Sequence, residues 1–92
     1  MNKAQIAARL IGRAGLSKSA AAEVVDAVFE TLGEALARHE AVRIAGFGTF
    51  TTKHRPARTG RNPRSGEAVS IPASVTPAFK AGKALRDAVN GR

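Results

Sequence analysis

Between residues 21 and 36 apolar side chains recur at Ala21, Val24, Val25, Val28, Phe29, Leu32 and Leu36. That is the i, i+3, i+4, i+7 spacing of one helical face. Glu23, Asp26, Glu30 and Glu34 fall on the opposite face at the same period. Ser17 stands ahead of the run as an N-cap. The pattern predicts a long amphipathic helix. Gly33 interrupts it at a cost of about 1 kcal/mol in an exposed helix, and Glu34 with Arg38 gives a favourable i, i+4 pair. A shorter helix precedes it, with Ile6, Leu10 and Ile11 as its apolar stripe. Asn2 and Gln5 are spaced as a capping box, and Gly15 is a fitting stop.

The period then switches from 3.6 to 2. Val42 and Ile44 alternate with Arg43, which predicts a short strand. Gly46 and Gly48 bracket Phe47 and suit a tight turn or bulge. Residues 47–53 read as a second strand and 68–71, with Val69 and Ile71 on one face, as a third. Pro72 and Pro77 are expected to break any regular structure between them. A closing helix is predicted over about 80–90, with Leu85 and Val89 inward. The order is ααβββα in an α+β fold. It makes a single domain over 1–92, with a helical base at about 2–38 and a sheet and arm at about 41–72.

Residues 55–66, R-P-A-R-T-G-R-N-P-R-S-G, fit neither period. Arg55, Arg58, Arg61 and Arg64 recur every third place with no acid among them. Unpaired charge is too costly to desolvate, so this segment projects into water or lies on something anionic. Asn62-Pro63-Arg64-Ser65-Gly66 carries the residues of a turn. The expectation is a two-stranded ribbon with Pro63 at its tip and guanidiniums along its flanks.

Composition sharpens this picture. Fifteen Lys and Arg oppose seven Asp and Glu, for a net charge of +8 in 92 residues. The charge is segregated. Residues 23–40 hold five acids against Arg38, whereas residues 41–66 hold six cations and no acid. One cationic surface of this kind suits a polyanion. Four Phe with no Trp or Tyr make a thin core for one chain, and small scaffolds without disulfides or metals commonly oligomerise. A dimer is expected. The absence of Cys removes disulfides and Cys-ligated metal sites. No cofactor and no metal is expected. His39 and His54 read as surface residues, and nothing assembles into a catalytic set, so no enzyme is expected. No apolar run approaches a membrane span, and the first residues lack the apolar stretch of a secretory signal, which points to the cytoplasm.

Several of these residues together resemble a known family. Gly46-Phe47-Gly48-Thr49-Phe50, Arg55, Arg58-Thr59-Gly60-Arg61-Asn62-Pro63-Arg64-Ser65-Gly66, Pro72 and Phe79-Lys80-Ala81-Gly82-Lys83-Ala84-Leu85 are similar to the bacterial HU/IHF nucleoid proteins, in order and without gaps. The closing segment looks like the HU branch, since IHF chains tend to carry Pro in place of Ala81. One departure is Ser74-Val75-Thr76-Pro77, where many HU chains carry a Lys.

The resemblance implies an intertwined homodimer with a helical base and a β-sheet saddle extended into two β-ribbon arms. It implies a nucleoid-associated, histone-like protein that binds and bends double-stranded DNA with little sequence preference, favouring bent, nicked or gapped duplex. On that reading Arg58, Arg61, Asn62 and Arg64 enter the minor groove and Pro63 intercalates as a wedge. Lys3, Lys53, Arg55, Lys80, Lys83 and Arg86 hold phosphates. Phe29, Leu32, Leu36, Val42, Ile44, Phe47, Phe50 and Phe79 form the dimer core. Two other readings stay open: a sequence-specific IHF-like subunit and a small basic RNA-binding protein. Taken alone, a charge run reads equally well as solvated surface, and Pro63 as an ordinary loop proline.

Overall fold

The computed structural model describes residues 1–92 as two compact units, Met1–Arg38 and His39–Arg92. In the first, the Asn2 side chain accepts the Gln5 N–H at 3.0 Å while the Gln5 side chain accepts the Asn2 N–H at 2.9 Å. This reciprocal cap starts α1, Lys3–Ala14. Gly15 ends it in the left-handed region at φ 65°, which glycine adopts without a Cβ penalty. Ser17 then accepts the Ala20 N–H at 3.2 Å and starts α2, Lys18–Ala37, which runs through Gly33 without a break.

The two helices meet through small residues. Ala7, Ala21 and Val25 are buried, with Ile6, Leu10 and Leu16 packed around them. Only part of the apolar stripe of α2 is used in this way. Val24, Val28 and Phe29 stay 43%, 56% and 44% exposed. No side chain in the chain is both large and fully buried.

The second unit holds five strands and a helix. They are β1 (Val42–Ile44), β2 (Gly48–Arg55), β3 (Arg58–Arg61), β4 (Ala68–Ile71), β5 (Ser74–Ala81) and α3 (Lys83–Val89). β1, β2 and β5 form an antiparallel sheet in that order, and β3 pairs with β4 in a separate two-stranded ribbon. The β1–β2 turn closes with the Phe47 N–H donating to Ile44 O at 3.0 Å, and Gly46 supplies φ 76°.

Two expectations are corrected here. Pro72 and Pro77 do not abolish regular structure: β5 runs through Pro77, which lies opposite Thr52 in an eight-pair ladder with β2. The strand tolerates it because β5 is an edge strand, where a missing N–H removes no second ladder. With β5 added and the outgoing leg of the ribbon counted as β3, the three strands expected from the sequence become five. The closing helix is also shorter than 80–90. Phe79 and Lys80 belong to β5, and α3 starts only after Gly82, whose N–H donates to Phe47 O at 2.8 Å. Packing decides this boundary: Phe79 sits opposite Phe50, with ring centres 4.7 Å apart, and the Phe47 ring centre lies 5.4 Å from it.

Candidate nucleic-acid interface

Strand register sorts the sheet into two chemically distinct faces, because successive residues point to opposite sides and paired residues to the same side. Val42, Phe50 and Phe79 share one row, and Ile44, Gly48 and Ala81 the next. That face is apolar. Arg43, Thr49 and Lys80 share a row on the other face, followed by Thr51 with Ala78, Lys53 with Thr76, and Arg55 with Ser74. This second face carries four exposed cations, hydroxyls and one alanine, with no acid. From the Arg43 row to Arg55 it extends roughly 20 Å at the usual strand rise.

The ribbon continues the same chain. β2 passes into β3 through Pro56 and Ala57, and β4 returns to β5 through Pro72 and Ala73. Both crossings break at the same level, since neither proline can extend a ladder. In the ribbon Arg58 pairs with Ile71 and Gly60 with Val69 on one face; Thr59 pairs with Ser70 and Arg61 with Ala68 on the other. A three-residue spacing on a strand of period two thus puts Arg58 and Arg61 on opposite flanks. Gly60 leaves room for its neighbour, since a Cβ there would lie 3.0 Å from Ile71 Cδ1.

The tip is a closed turn. Asn62 N–H donates to Glu67 O at 2.9 Å and Gly66 N–H to Asn62 O at 2.8 Å. Asn62 Oδ1 accepts the Arg64 N–H at 2.9 Å, spanning Pro63, and Ser65 Oγ accepts the Glu67 N–H at 3.3 Å. Arg61 Nη1 donates to Gly66 O at 3.1 Å, and Gly66 takes φ 71°. Pro63 is exposed at the apex of this frame. Asn62 is therefore the residue that holds the turn, and its carbonyl oxygens are engaged inside the tip.

The remaining cations are distributed differently. Lys83 Nζ lies 2.6 Å from Asp87 Oδ2 within α3, and Lys3 Nζ lies 3.0 Å from Asp26 Oδ1 between α1 and α2. Both lysines are largely exposed, so these pairs add little stability and can exchange partners. Arg86 is exposed on α3. Of the expected dimer-core residues, none is buried in the single chain. Phe29, Ile44, Phe47 and Phe79 are exposed, and Leu32, Leu36, Val42 and Phe50 are half-buried. Sequence reasoning missed Arg43 as a member of the cationic face. Its alternation with Val42 and Ile44 is visible in the sequence, but its alignment with Lys80 depends on β5, which the prolines conceal. No group of three or more His, Asp or Glu side chains is placed to hold a metal ion, and no helix is long and apolar enough to cross a membrane.

The chain is similar to known proteins along nearly its whole length. Residues 1–90 match the family model described as bacterial DNA-binding protein. The SPbeta prophage-derived DNA-binding protein HU 2 of Bacillus subtilis is 49% identical over 92 residues, covering 100% of both chains. DNA-binding protein HU of Geobacillus stearothermophilus is 51% identical over 89 residues, covering 97% of this chain and 99% of its own. Among solved structures, the Anabaena HU–DNA cocrystal structure matches with a TM-score of 0.85 at 39% identity over 100% of both chains. HU from Thermotoga maritima matches at 0.66 with 32% identity, covering 97% and 98%. With a family match along almost its entire length and relatives near half identical from end to end, this chain belongs to the bacterial DNA-binding protein family, on its HU branch.

Proposed function

We propose that the chain is a DNA-binding, DNA-bending architectural protein of the bacterial nucleoid that acts without sequence preference. The observation that carries this reading is the acid-free cationic sheet face of Arg43, Lys53, Arg55 and Lys80, continuous in the chain with an arginine-flanked ribbon. Phosphates are the ligand that such a face fits, and phosphate contacts carry no base information. A β-ribbon can enter a groove, and the minor groove offers only a degenerate code. Arg58 and Arg61 on opposite flanks suit its two walls. Pro63, braced by Asn62, suits insertion between base pairs, where unstacking costs a few kcal/mol that the longer contact of a bent duplex offsets. Lys3, Lys83 and Arg86 would add further phosphate contacts, Lys3 and Lys83 by exchanging Asp26 and Asp87 for DNA.

The protein acts as a homodimer on this reading. The single chain leaves apolar surface exposed at Val24, Val28, Phe29, Ile44, Phe47 and Phe79, which a second copy would cover. Two copies bring two arms and so two wedges.

Competition gel shifts test the function. Nicked or gapped duplex should displace linear duplex, since prior distortion lowers the bending cost, and unrelated linear sequences should compete equally. One strongly preferred linear site would support a sequence-specific subunit instead. Stronger competition by structured RNA would replace the proposal with RNA binding.

A further inference from the structure

His39 is the one non-glycine residue with positive φ, at 60°. It is the left-handed residue that follows the C-cap of α2. Its ring lies against His54. The two ring centres are 4.8 Å apart with planes at 87°. His39 lies in the turn before β1, and His54 lies in β2 opposite Val75. Lys53 and Arg55 flank His54 in sequence, but strand alternation aims them at the opposite face of the sheet. The two imidazoles therefore share a surface from which the neighbouring cations of β2 are turned away, and both are exposed.

The separation fits shared coordination. A zinc–nitrogen bond of about 2.1 Å plus the half-width of an imidazole places each ring centre about 3.2 Å from a common ion. Two rings on one ion then sit about 4.5 Å apart at a right angle and about 5.2 Å apart at the tetrahedral angle. The observed 4.8 Å lies between these limits. Rotation about the soft terminal torsion of each exposed ring aims a nitrogen inward with little cost. Neutral imidazole without thiolate selects borderline ions over Mg²⁺ or Ca²⁺. We infer that His39 and His54 form a two-imidazole site for a borderline divalent cation, Zn²⁺ or Cu²⁺, with water completing the coordination. No third His, Asp or Glu is grouped with them, so the site is open rather than closed. The bound ion ties the turn before β1 to the outer part of β2.

Titration calorimetry of the full chain, stripped of metal, with ZnCl₂ in a non-chelating buffer and no DNA present tests this. The expected result is one saturable ion per chain, with Cu²⁺ bound more tightly than Zn²⁺. His39→Gly is the informative variant, because glycine accepts positive φ and the turn keeps its shape without the ligand. Removing either donor by His39→Gly or His54→Asn abolishes the chelate and should weaken binding at least about tenfold. Zn²⁺ should also raise the melting temperature of the parent and leave that of His39→Gly unchanged. Undiminished binding in both variants, or no saturable binding in the parent, would overturn the inference. Neither result bears on whether the protein binds DNA.

Discussion

Replacing Gly48 by alanine should damage the sheet that supports the cationic face. An alanine Cβ at this buried position would lie 2.5 Å from the Lys80 carbonyl oxygen, 2.6 Å from Phe79 Cζ and 2.7 Å from Phe79 Cε1. The oxygen is backbone in the β2–β5 ladder, where Gly48 lies opposite Ala81. The Phe79 ring, exposed at 42%, can tilt aside, so the fixed backbone oxygen decides the cost. Alanine would gain about 0.5–1 kcal/mol by restricting the unfolded chain. Overpacking costs about 1–3 kcal/mol, and lengthening a ladder hydrogen bond adds about 0.5–1.5 kcal/mol. Destabilisation prevails by about 1–3 kcal/mol, which for a chain of this size lowers the melting temperature by roughly 5–20 °C. Thermal unfolding followed by circular dichroism, at one fixed chain concentration because assembly makes melting concentration-dependent, measures it. Gly12→Ala is the control: it lies within α1 with nothing near its Cβ, and should stabilise by up to about 1 kcal/mol. A Gly48→Ala protein melting within about 2 °C of the parent would refute the packing argument.

Val28 is 56% exposed in the single chain, so Val28→Asp should leave an isolated monomer folded locally but shift sedimentation from dimer to monomer; an unchanged dimer would place the interface elsewhere. Arg43→Ala should weaken binding to unrelated duplexes alike and reduce the slope of log affinity against log salt by about 0.9 for each phosphate that is no longer neutralised. Weakening confined to one sequence would mean base readout. Pro63→Ala should keep most of the affinity and lower the bend angle, whereas an equal bend would remove the wedge role.

Local signals in the sequence are legible where the physics is local. The Asn2–Gln5 box, the Ser17 cap and the Gly15 stop each depend on a few neighbouring residues, and each is present. The turn at Asn62 likewise needs only its own hydroxyl, amide and glycine groups. What cannot be read from neighbours is β5. Whether Pro77 ends a strand depends on whether it sits at a sheet edge, and that is settled by β2, far away in sequence. The same gap misplaces Lys80 in a helix and hides Arg43 from the cationic row. The stripe of α2 is also only half legible. Its spacing gives the apolar face, but only Ala21, Val25 and Ala35 of that helix are buried within the chain. The rest stays exposed or half-buried in the single chain, and periodicity does not say what covers it.

Energy transfer between dyes at the two ends of a linear duplex of roughly 20–30 base pairs tests the architectural role most directly, since bending such a length costs only about 1–6 kcal/mol. As the protein saturates the duplex, transfer should rise to a plateau, and it should do so equally for sequences of unrelated composition. Saturating binding that leaves the ends as far apart as in free DNA would contradict the account.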